Sequence, residues 1–266
     1  MPYFHTDDGC RLYYEAHGID RGGPVVVLLN GTTQTTLHWR PQTLFLQRDY
    51  GVLLYDARAQ GKSHPGTQPL ALELHARDLA ALLDRLQIPQ AHLVGLSHGA
   101  HVALAMARRP ESRVQRVVLC GIGAEPTARM QTVVASWIAL LKTWGLEAMA
   151  WAALPTVLGE AYLFQNRRIR AKIVDAIVKR NHRDNLLAHL EAMSTYPPPA
   201  GLAVDLSCPT LIIAGNQDPM VPVAEVKKLS ELCRGTHAVI PGVGHTVPVE
   251  APQVFNRVVS DFLKGT

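Results

Sequence analysis

The fold of this chain is decided by one stretch, Ala91-His92-Leu93-Val94-Gly95-Leu96-Ser97-His98-Gly99-Ala100. Its first half is apolar and typical of a strand, whereas the residues after Gly99 are small helix formers. Ser97 therefore stands at a turn from a buried strand into a helix, with a glycine two residues away on each side. Small neighbours permit a strained serine at such a turn, and the amide end of the helix points toward its hydroxyl. The stretch predicts a nucleophilic serine at the edge of a sheet.

The composition predicts a globular protein and excludes several other classes. A chain of 266 residues with 47% hydrophobic and 18% charged residues can bury one large core and carry an inserted subdomain. The four cysteines are scattered without CxxC spacing, so we expect free thiols, no disulfide framework and no metal or other cofactor. A net charge of +4 is too small to indicate nucleic-acid binding. The first residues lack the basic and apolar regions of a secretory signal, so we expect a cytoplasmic protein.

Short apolar segments alternate with helical patterns along most of the chain. Such alternation predicts a mostly parallel sheet of about eight strands with helices on both faces. The expected strands are an opening hairpin at 3–6 and 11–16, followed by 24–29, 52–56, 93–96, 117–120, 210–214 and 237–240.

Residues 124–207 interrupt this alternation. They show no strand pattern, and they contain three tryptophans, a basic helical pattern and three consecutive prolines. We expect a helical cap inserted into an α/β core that residues 1–123 and 208–266 form. The apolar part of this insertion contains charged residues, glycine and proline, so an integral membrane span is not expected.

The segment 164–183 concentrates positive charge. Seven basic residues stand there against one acidic residue, Asp175; they are Arg167, Arg168, Arg170, Lys172, Lys179, Arg180 and Arg183. Isoleucine and valine recur beneath them at helical spacing, which is typical of a surface helix with a solvated basic face. The alternative is a landing patch for an anionic group, such as the phosphates of coenzyme A or a carrier-protein arm, or a lipid head group.

With the serine turn, four further motifs occur in an order typical of one family. They are Asn30-Gly31-Thr32-Thr33, Asp56-Ala57-Arg58-Ala59-Gln60-Gly61-Lys62-Ser63, Gly215-Asn216-Gln217-Asp218-Pro219-Met220-Val221-Pro222 and Gly242-Val243-Gly244-His245. On these motifs the chain resembles the α/β-hydrolase superfamily over nearly its whole length. Two departures are an asparagine where His-Gly is usual and Ala59 where the family has glycine.

The resemblance implies a catalytic triad of Ser97, Asp218 and His245, which follow the chain order of this fold. A serine hydroxyl attacks only when a base removes its proton, and a carboxylate must hold that base in one tautomer. Asp218 and His245 both follow predicted strands of one sheet, so the fold can bring them to Ser97 at its carboxyl edge. Glu125, after the sixth strand, is the alternative acid, since some members of the family place it there.

The resemblance also implies an oxyanion hole and a pocket. The two oxyanion donors are expected to be the amides of Thr32 and His98, with Thr33 as the alternative to Thr32. The predicted pocket is lined by one loop histidine and by tryptophans of the cap, namely His38, Trp137, Trp144 and Trp151.

The predicted function is that of a cofactor-independent serine hydrolase, which cleaves a small carboxylic ester with an apolar acyl or aryl part through an acyl-enzyme. An acyl-thioester hydrolase or acyltransferase is the alternative, followed by a carbon–carbon bond hydrolase. A ligand receptor that keeps the triad without turnover stays open, because the fold does not imply the function. The oligomeric state, monomer or homodimer, is also open.

Overall fold

The computed structural model describes residues 3–109, 113–204 and 206–265. The remaining positions of the predicted core and cap ranges, 1–2, 110–112, 205 and 266, lie outside the described residues. The strands are β1 Tyr3–His5, β2 Arg11–His17, β3 Val25–Leu29, β4 Gly51–Tyr55, β5 Ala91–Leu96, β6 Val114–Cys120, β7 Thr210–Gly215 and β8 Thr236–Ile240.

One eight-stranded sheet has the order β1-β2-β4-β3-β5-β6-β7-β8. The pairs β1–β2 and β2–β4 are antiparallel, and the other neighbours are parallel. Strands β3, β4, β5 and β7 are buried along their whole length, which explains why they read as continuous apolar runs rather than alternating ones. The predicted sheet is confirmed, with strand ends shifted by at most three residues.

Twelve α-helices are present among the described residues. They are α1 Arg40–Leu46, α2 Leu72–Arg85, α3 His98–Arg108, α4 Ala128–Thr143, α5 Leu146–Val157, α6 Glu160–Gln165, α7 Arg170–Arg180, α8 Arg183–Met193, α9 Pro199–Ala203, α10 Val223–Leu232, α11 Val247–Glu250 and α12 Pro252–Lys264. Helices α2, α3 and α10 share one apolar core with the sheet, and α1 and α12 share another. The sheet is therefore covered on both faces, as predicted.

Helices α4 to α9 occupy the segment between β6 and β7, which contains no strand among the described residues. Trp137 and Leu141 of α4, with Leu186 and Leu190 of α8, join the core that contains α2 and α3. A second small cluster connects α5 with α7 through Ala150 and its neighbours. No described helix is long and apolar enough to cross a bilayer. The division of the chain into core and cap stays a prediction.

A buried ion-pair network joins the first turn of the chain to α2. The Arg58 guanidinium is almost fully buried and donates to Asp78 through Nη2 at 2.9 Å and to Asp8 through Nη2 at 2.6 Å. The hydrogen bond from Arg58 holds the pKa of Asp8 well below its usual range. The carboxylates of Asp8 and Asp78 together neutralise the buried guanidinium, so Arg58 anchors the loop after β4.

Ala59, in that same loop, has a backbone φ of 62°. This is the left-handed region, where a Cβ atom costs roughly 1–2 kcal/mol. The family has glycine at this position, and the structure shows the physical reason for that preference.

We predict that Ala59→Gly relieves this strain. The matched control is Ala57→Gly, because Ala57 is equally buried in the same loop but is not among the residues of positive φ. Both variants lose a methyl group and gain backbone entropy in the unfolded chain, but only Ala59→Gly removes a left-handed alanine. Urea unfolding should therefore show Ala59→Gly to be more stable than Ala57→Gly by about 1–2 kcal/mol. Equal stability of the two variants would contradict this account.

Candidate active site

Ser97 lies in the turn between β5 and α3 with φ 54° and ψ −113°. This conformation is strained for a residue with a side chain, and the surroundings must hold it in place. The Ser97 amide donates to the Cys120 carbonyl at 2.8 Å. A Cβ atom at Gly95 would collide with the Gly99 carbonyl, and one at Gly99 would collide with the Leu29 carbonyl. Both glycines are therefore required for the close approach of α3 to the sheet.

His245 and Asp218 form a buried pair at the same edge of the sheet. The His245 Nδ1 atom lies 2.7 Å from Asp218 Oδ2, and both side chains are nearly inaccessible to solvent. The other carboxylate oxygen of Asp218 accepts the amides of Met220 at 2.8 Å and Val221 at 3.0 Å. Burial of His245 opposes its charge, but the Asp218 carboxylate outweighs burial and raises the pKa of the imidazole. Because Nδ1 faces Asp218, Nε2 is the nitrogen available to a reacting group.

Two features position the His245 ring. A Cβ atom at Gly121, which has a φ of 64°, would lie 2.9 Å from Cε1 of His245, so only glycine leaves room for the ring. The Glu250 carboxylate accepts the amides of Gly244 at 3.0 Å and Thr246 at 3.1 Å, on either side of His245. It also accepts the amide of Gly159, at the start of α6, at 2.8 Å. No local pattern in the sequence indicates these contacts of Glu250.

Two backbone amides, one in the loop after β3 and one at the start of α3, have no hydrogen-bond acceptor among the described residues. Neither Thr32 nor His98 donates its amide to another group among the described residues. The backbone of Thr33, in the same loop, is in the left-handed region with a φ of 67°. Asn30, which replaces the usual histidine, donates from Nδ2 to Tyr55 O and to Asp56 Oδ1, both at 3.1 Å. The amide side chain thus ties this loop to β4.

Ser97, His245 and Thr32 line one cavity of about 330 Å³, together with His38. The rest of its lining is mostly apolar and comes from the helices between β6 and β7; it includes Met149, Ala150, Ala153, Leu154, Val157 and Ile173. Two basic side chains of α7, Lys172 and Arg180, also line this cavity. The other basic side chains of the segment 164–183 do not.

The structure corrects the prediction for two of the three tryptophans. Trp137 is 6% exposed and lines the cavity, but Trp144 is 78% and Trp151 is 44% exposed, and neither lines it. Ala150, Ala153, Leu154 and Val157 recur at intervals of three and four residues and form the face of α5 that lines the cavity. The side chain of Trp151 lies to one side of that face and is exposed. Trp144 follows the end of α4, outside its buried face.

A second cavity, also of about 330 Å³, meets the first at Ser97. The two share Ser97, Met130, Val134, Met193 and Met220. Glu125, the alternative acid, is exposed and lines this second cavity, and no hydrogen bond joins it to His245 within the described part of the chain. The acid in contact with His245 is Asp218.

The helical segment touches the loop after β3 directly. Asn181 Nδ2 donates to the Thr33 carbonyl at 3.1 Å. The Thr32 hydroxyl lies 3.3 Å from His189 Nε2 and 3.2 Å from Met193 Sδ. Sequence reasoning missed Asn181 and His189, because no local pattern marks a contact between residues this far apart in the chain.

Comparisons with known proteins agree with this architecture. The chain is 30% identical to the putative carbamate hydrolase RutD of Caulobacter sp. (strain K31), over 98% of this chain and 97% of that one. It is 28% identical to 3-oxoadipate enol-lactonase 2 of Acinetobacter baylyi, over 99% of both chains. The crystal structure of the enol-lactonase from Burkholderia xenovorans LB400 superposes with a TM-score of 0.90 at 28% identity, over 99% of this chain and 100% of that one.

The resemblance inferred from the motifs is thereby confirmed. The model of the alpha/beta hydrolase family matches residues 26–258, which include the turn at Ser97 and both loops that carry Asp218 and His245. The chain belongs to the alpha/beta hydrolase family.

Proposed function

We propose that this hydrolase is a serine esterase that cleaves carboxylic esters with an apolar acyl or aryl part through an acyl-enzyme. The observation that carries the proposal is the 2.7 Å contact of Asp218 with His245, which lines the same cavity as Ser97. The amides of Thr32 and His98 donate to no group among the described residues. Thr32 lines the same cavity as Ser97, and His98 follows Ser97 in the chain. The names of the relatives support ester chemistry, since an enol-lactone is an internal ester.

In the proposed reaction each group has one step. Ser97 Oγ attacks the carbonyl carbon while His245 Nε2 takes its proton, and the Asp218 carboxylate stabilises the imidazolium that forms. The amides of Thr32 and His98 stabilise the oxyanion of the tetrahedral intermediate. The imidazolium then protonates the leaving alcohol, and water repeats the sequence to release the acid.

The two cavities that meet at Ser97 support a substrate with groups on both sides of the scissile bond. The helical segment supplies most of the apolar lining of the first cavity, so it serves as the cap and excludes water there. Apolar burial, rather than charge, then supplies most of the binding free energy of the acyl or aryl group.

Lys172 and Arg180 favour a second candidate, a substrate that carries a negative charge away from the reacting carbonyl. They line the cavity that contains Ser97, so an acyl thioester of a phosphate-bearing carrier could extend past them. Lys172→Ala and Arg180→Ala would then raise KM for an anionic thioester much more than for a neutral ester of the same acyl group.

We predict that Ser97→Ala and His245→Ala each lower kcat for a p-nitrophenyl ester by roughly 10⁴- to 10⁶-fold, because triad members act as a unit. Circular dichroism should show an unchanged fold. The matched control is His92→Gln, since His92 is buried in β5, the strand that ends just before Ser97, but lies outside the cavity. A fluorophosphonate probe should label the natural protein and the control but not Ser97→Ala. Retention of more than about a tenth of the activity in either triad variant would overturn the assignment.

We predict that Asp218→Asn is severely impaired, whereas Glu125→Gln stays close to the natural protein, because only Asp218 contacts His245. His245 must be neutral to act as a base, so kcat/KM falls as the pH drops through its pKa. Asp218 raises that pKa above 6.5, and its loss should move the acid limb of the profile to lower pH. An unmoved limb in Asp218→Asn, or a stronger effect of Glu125→Gln, would contradict the pairing.

We predict that kcat/KM for p-nitrophenyl esters rises about three- to fourfold per carbon from acetate to an intermediate chain length and then falls, since each buried methylene contributes roughly 0.8 kcal/mol. Trp137→Ala should shift the optimum to longer chains, because Trp137 lines the cavity. Trp144→Ala, which alters an exposed tryptophan, should leave the profile unchanged. A profile that only declines from acetate would indicate a small pocket instead.

A further inference from the structure

Three histidines form a buried cluster behind the active site. His75 lies on α2, His98 begins α3 and His189 lies on α8. One ligand nitrogen from each ring lies within 4.8 Å of the other two, and the residues are 0–1% exposed. The ring centroid of His98 lies 4.8 Å from that of His75 and 4.3 Å from that of His189. Elements from three separate parts of the chain thus bring three imidazoles together.

Four ring nitrogens of this cluster are buried without a hydrogen-bond partner among the described residues. They are both nitrogens of His75, Nδ1 of His98 and Nδ1 of His189. Proteins satisfy nearly all buried polar groups, and a cluster of exceptions calls for a ligand, an ion or a functional role. Neither cavity at Ser97 is lined by any of the three histidines, so substrate does not supply these partners.

The protonation state of the cluster suits a metal ion. Burial lowers the pKa of His75 to about 3 and that of His189 to about 4, and it lowers the pKa of His98 well below its usual value. At neutral pH all three rings are therefore neutral, which is the form in which histidine binds metals.

We propose that His75, His98 and His189 bind one divalent transition-metal ion, of which Zn²⁺ is the representative probe. Three histidines are a known ligand set for zinc, with Zn–N bonds of about 2.0–2.1 Å. Two nitrogens on one ion are then at most about 4.2 Å apart, so the rings must close by roughly an ångström on binding. Sequence spacing could not reveal this site, because the three histidines lie on helices far apart in the chain.

The neighbours of His189 can orient it as a ligand. Its Nε2 lies 3.3 Å from the Thr32 hydroxyl and 3.3 Å from Gln60 Nε2, while the buried Gln60 Oε1 has no partner. Oxygen and nitrogen of an amide are assigned from their surroundings, and turning the Gln60 amide would place Oε1 beside His189 Nε2. A proton on Nε2 would then be held by Thr32 or Gln60, leaving Nδ1 free to bind metal.

The ion would connect the helical segment to the core. Two of its ligands lie on α2 and α3 and the third lies on α8. His98 is both a proposed ligand, through its ring, and a proposed oxyanion donor, through its amide. The other proposed donor, Thr32, contacts the ligand His189. Metal binding would hold α8 against the loop after β3 without entering the substrate cavity.

The test uses the whole chain without a polyhistidine tag, stripped of metal by a chelator and then titrated with Co²⁺ or Zn²⁺. We expect about one equivalent of Co²⁺ per chain with the visible absorption of a four-coordinate ion. A Zn²⁺ concentration about 100-fold above Kd should raise Tm by about 5–10 °C. His75→Gln and His189→Gln should each weaken binding by about 100-fold or more, because losses of that size already follow from removing outer-shell partners. His92→Gln, a buried histidine with an unpartnered Nδ1 outside the cluster, is the matched control and should bind normally.

Several results would overturn the proposal. They are the absence of stoichiometric Co²⁺ binding by the natural chain, unchanged binding in folded His75→Gln and His189→Gln, and equal weakening by His92→Gln. Anomalous diffraction at the zinc edge that places the ion elsewhere, or that shows only water between the three rings, would do the same. If the variants do not fold, the Co²⁺ spectrum and the diffraction of the natural chain decide. None of these measurements depends on hydrolase activity.

Discussion

The structure depends on the close approach of α3 to β3 and β5 at Gly95 and Gly99. A side chain at either position would collide with backbone carbonyls, and their absence brings the amino end of α3 to the edge of the sheet. The same contact forces Ser97 into its strained conformation and frees the amide of His98. Because β3, β5, β6, β7 and β8 run parallel, the loops at their carboxyl ends meet around that serine.

Carboxylates that accept backbone amides hold those loops in place. Asp218 accepts two amides of its own loop while it contacts His245, and Glu250 accepts the amides on both sides of His245. Asp56 accepts the amides of Thr36 at 2.9 Å and Lys62 at 3.0 Å and so anchors the loop after β3. A hydrogen bond from a backbone amide to a charged carboxylate is stronger than one between two neutral groups. These hydrogen bonds position each loop without occupying the cavity.

The helical segment contributes more than a cover for the cavity. It lines the first cavity, places two cations of α7 there, and bonds to the loop after β3 through Asn181. Glu250 joins it to the histidine loop through the amide of Gly159. A movement of this segment would therefore alter the loop after β3 and the loop of His245 together, so the proposed substrate entry and the proposed catalytic geometry would be physically coupled.

The sequence by itself determined the sheet, the turn at Ser97 and the candidate residues Asp218 and His245, because apolar runs, glycine spacing and loop motifs are local properties of the chain. It also marked the strand-free segment 124–207. Only the tertiary structure decided that Asp218 rather than Glu125 contacts His245, since both acids follow strands of the same sheet. Likewise, the rotation of α5 turned Trp151 outward, and the packing of α8 brought His189 to His75 and His98. These outcomes depend on distances between elements far apart in the chain, which no local pattern encodes.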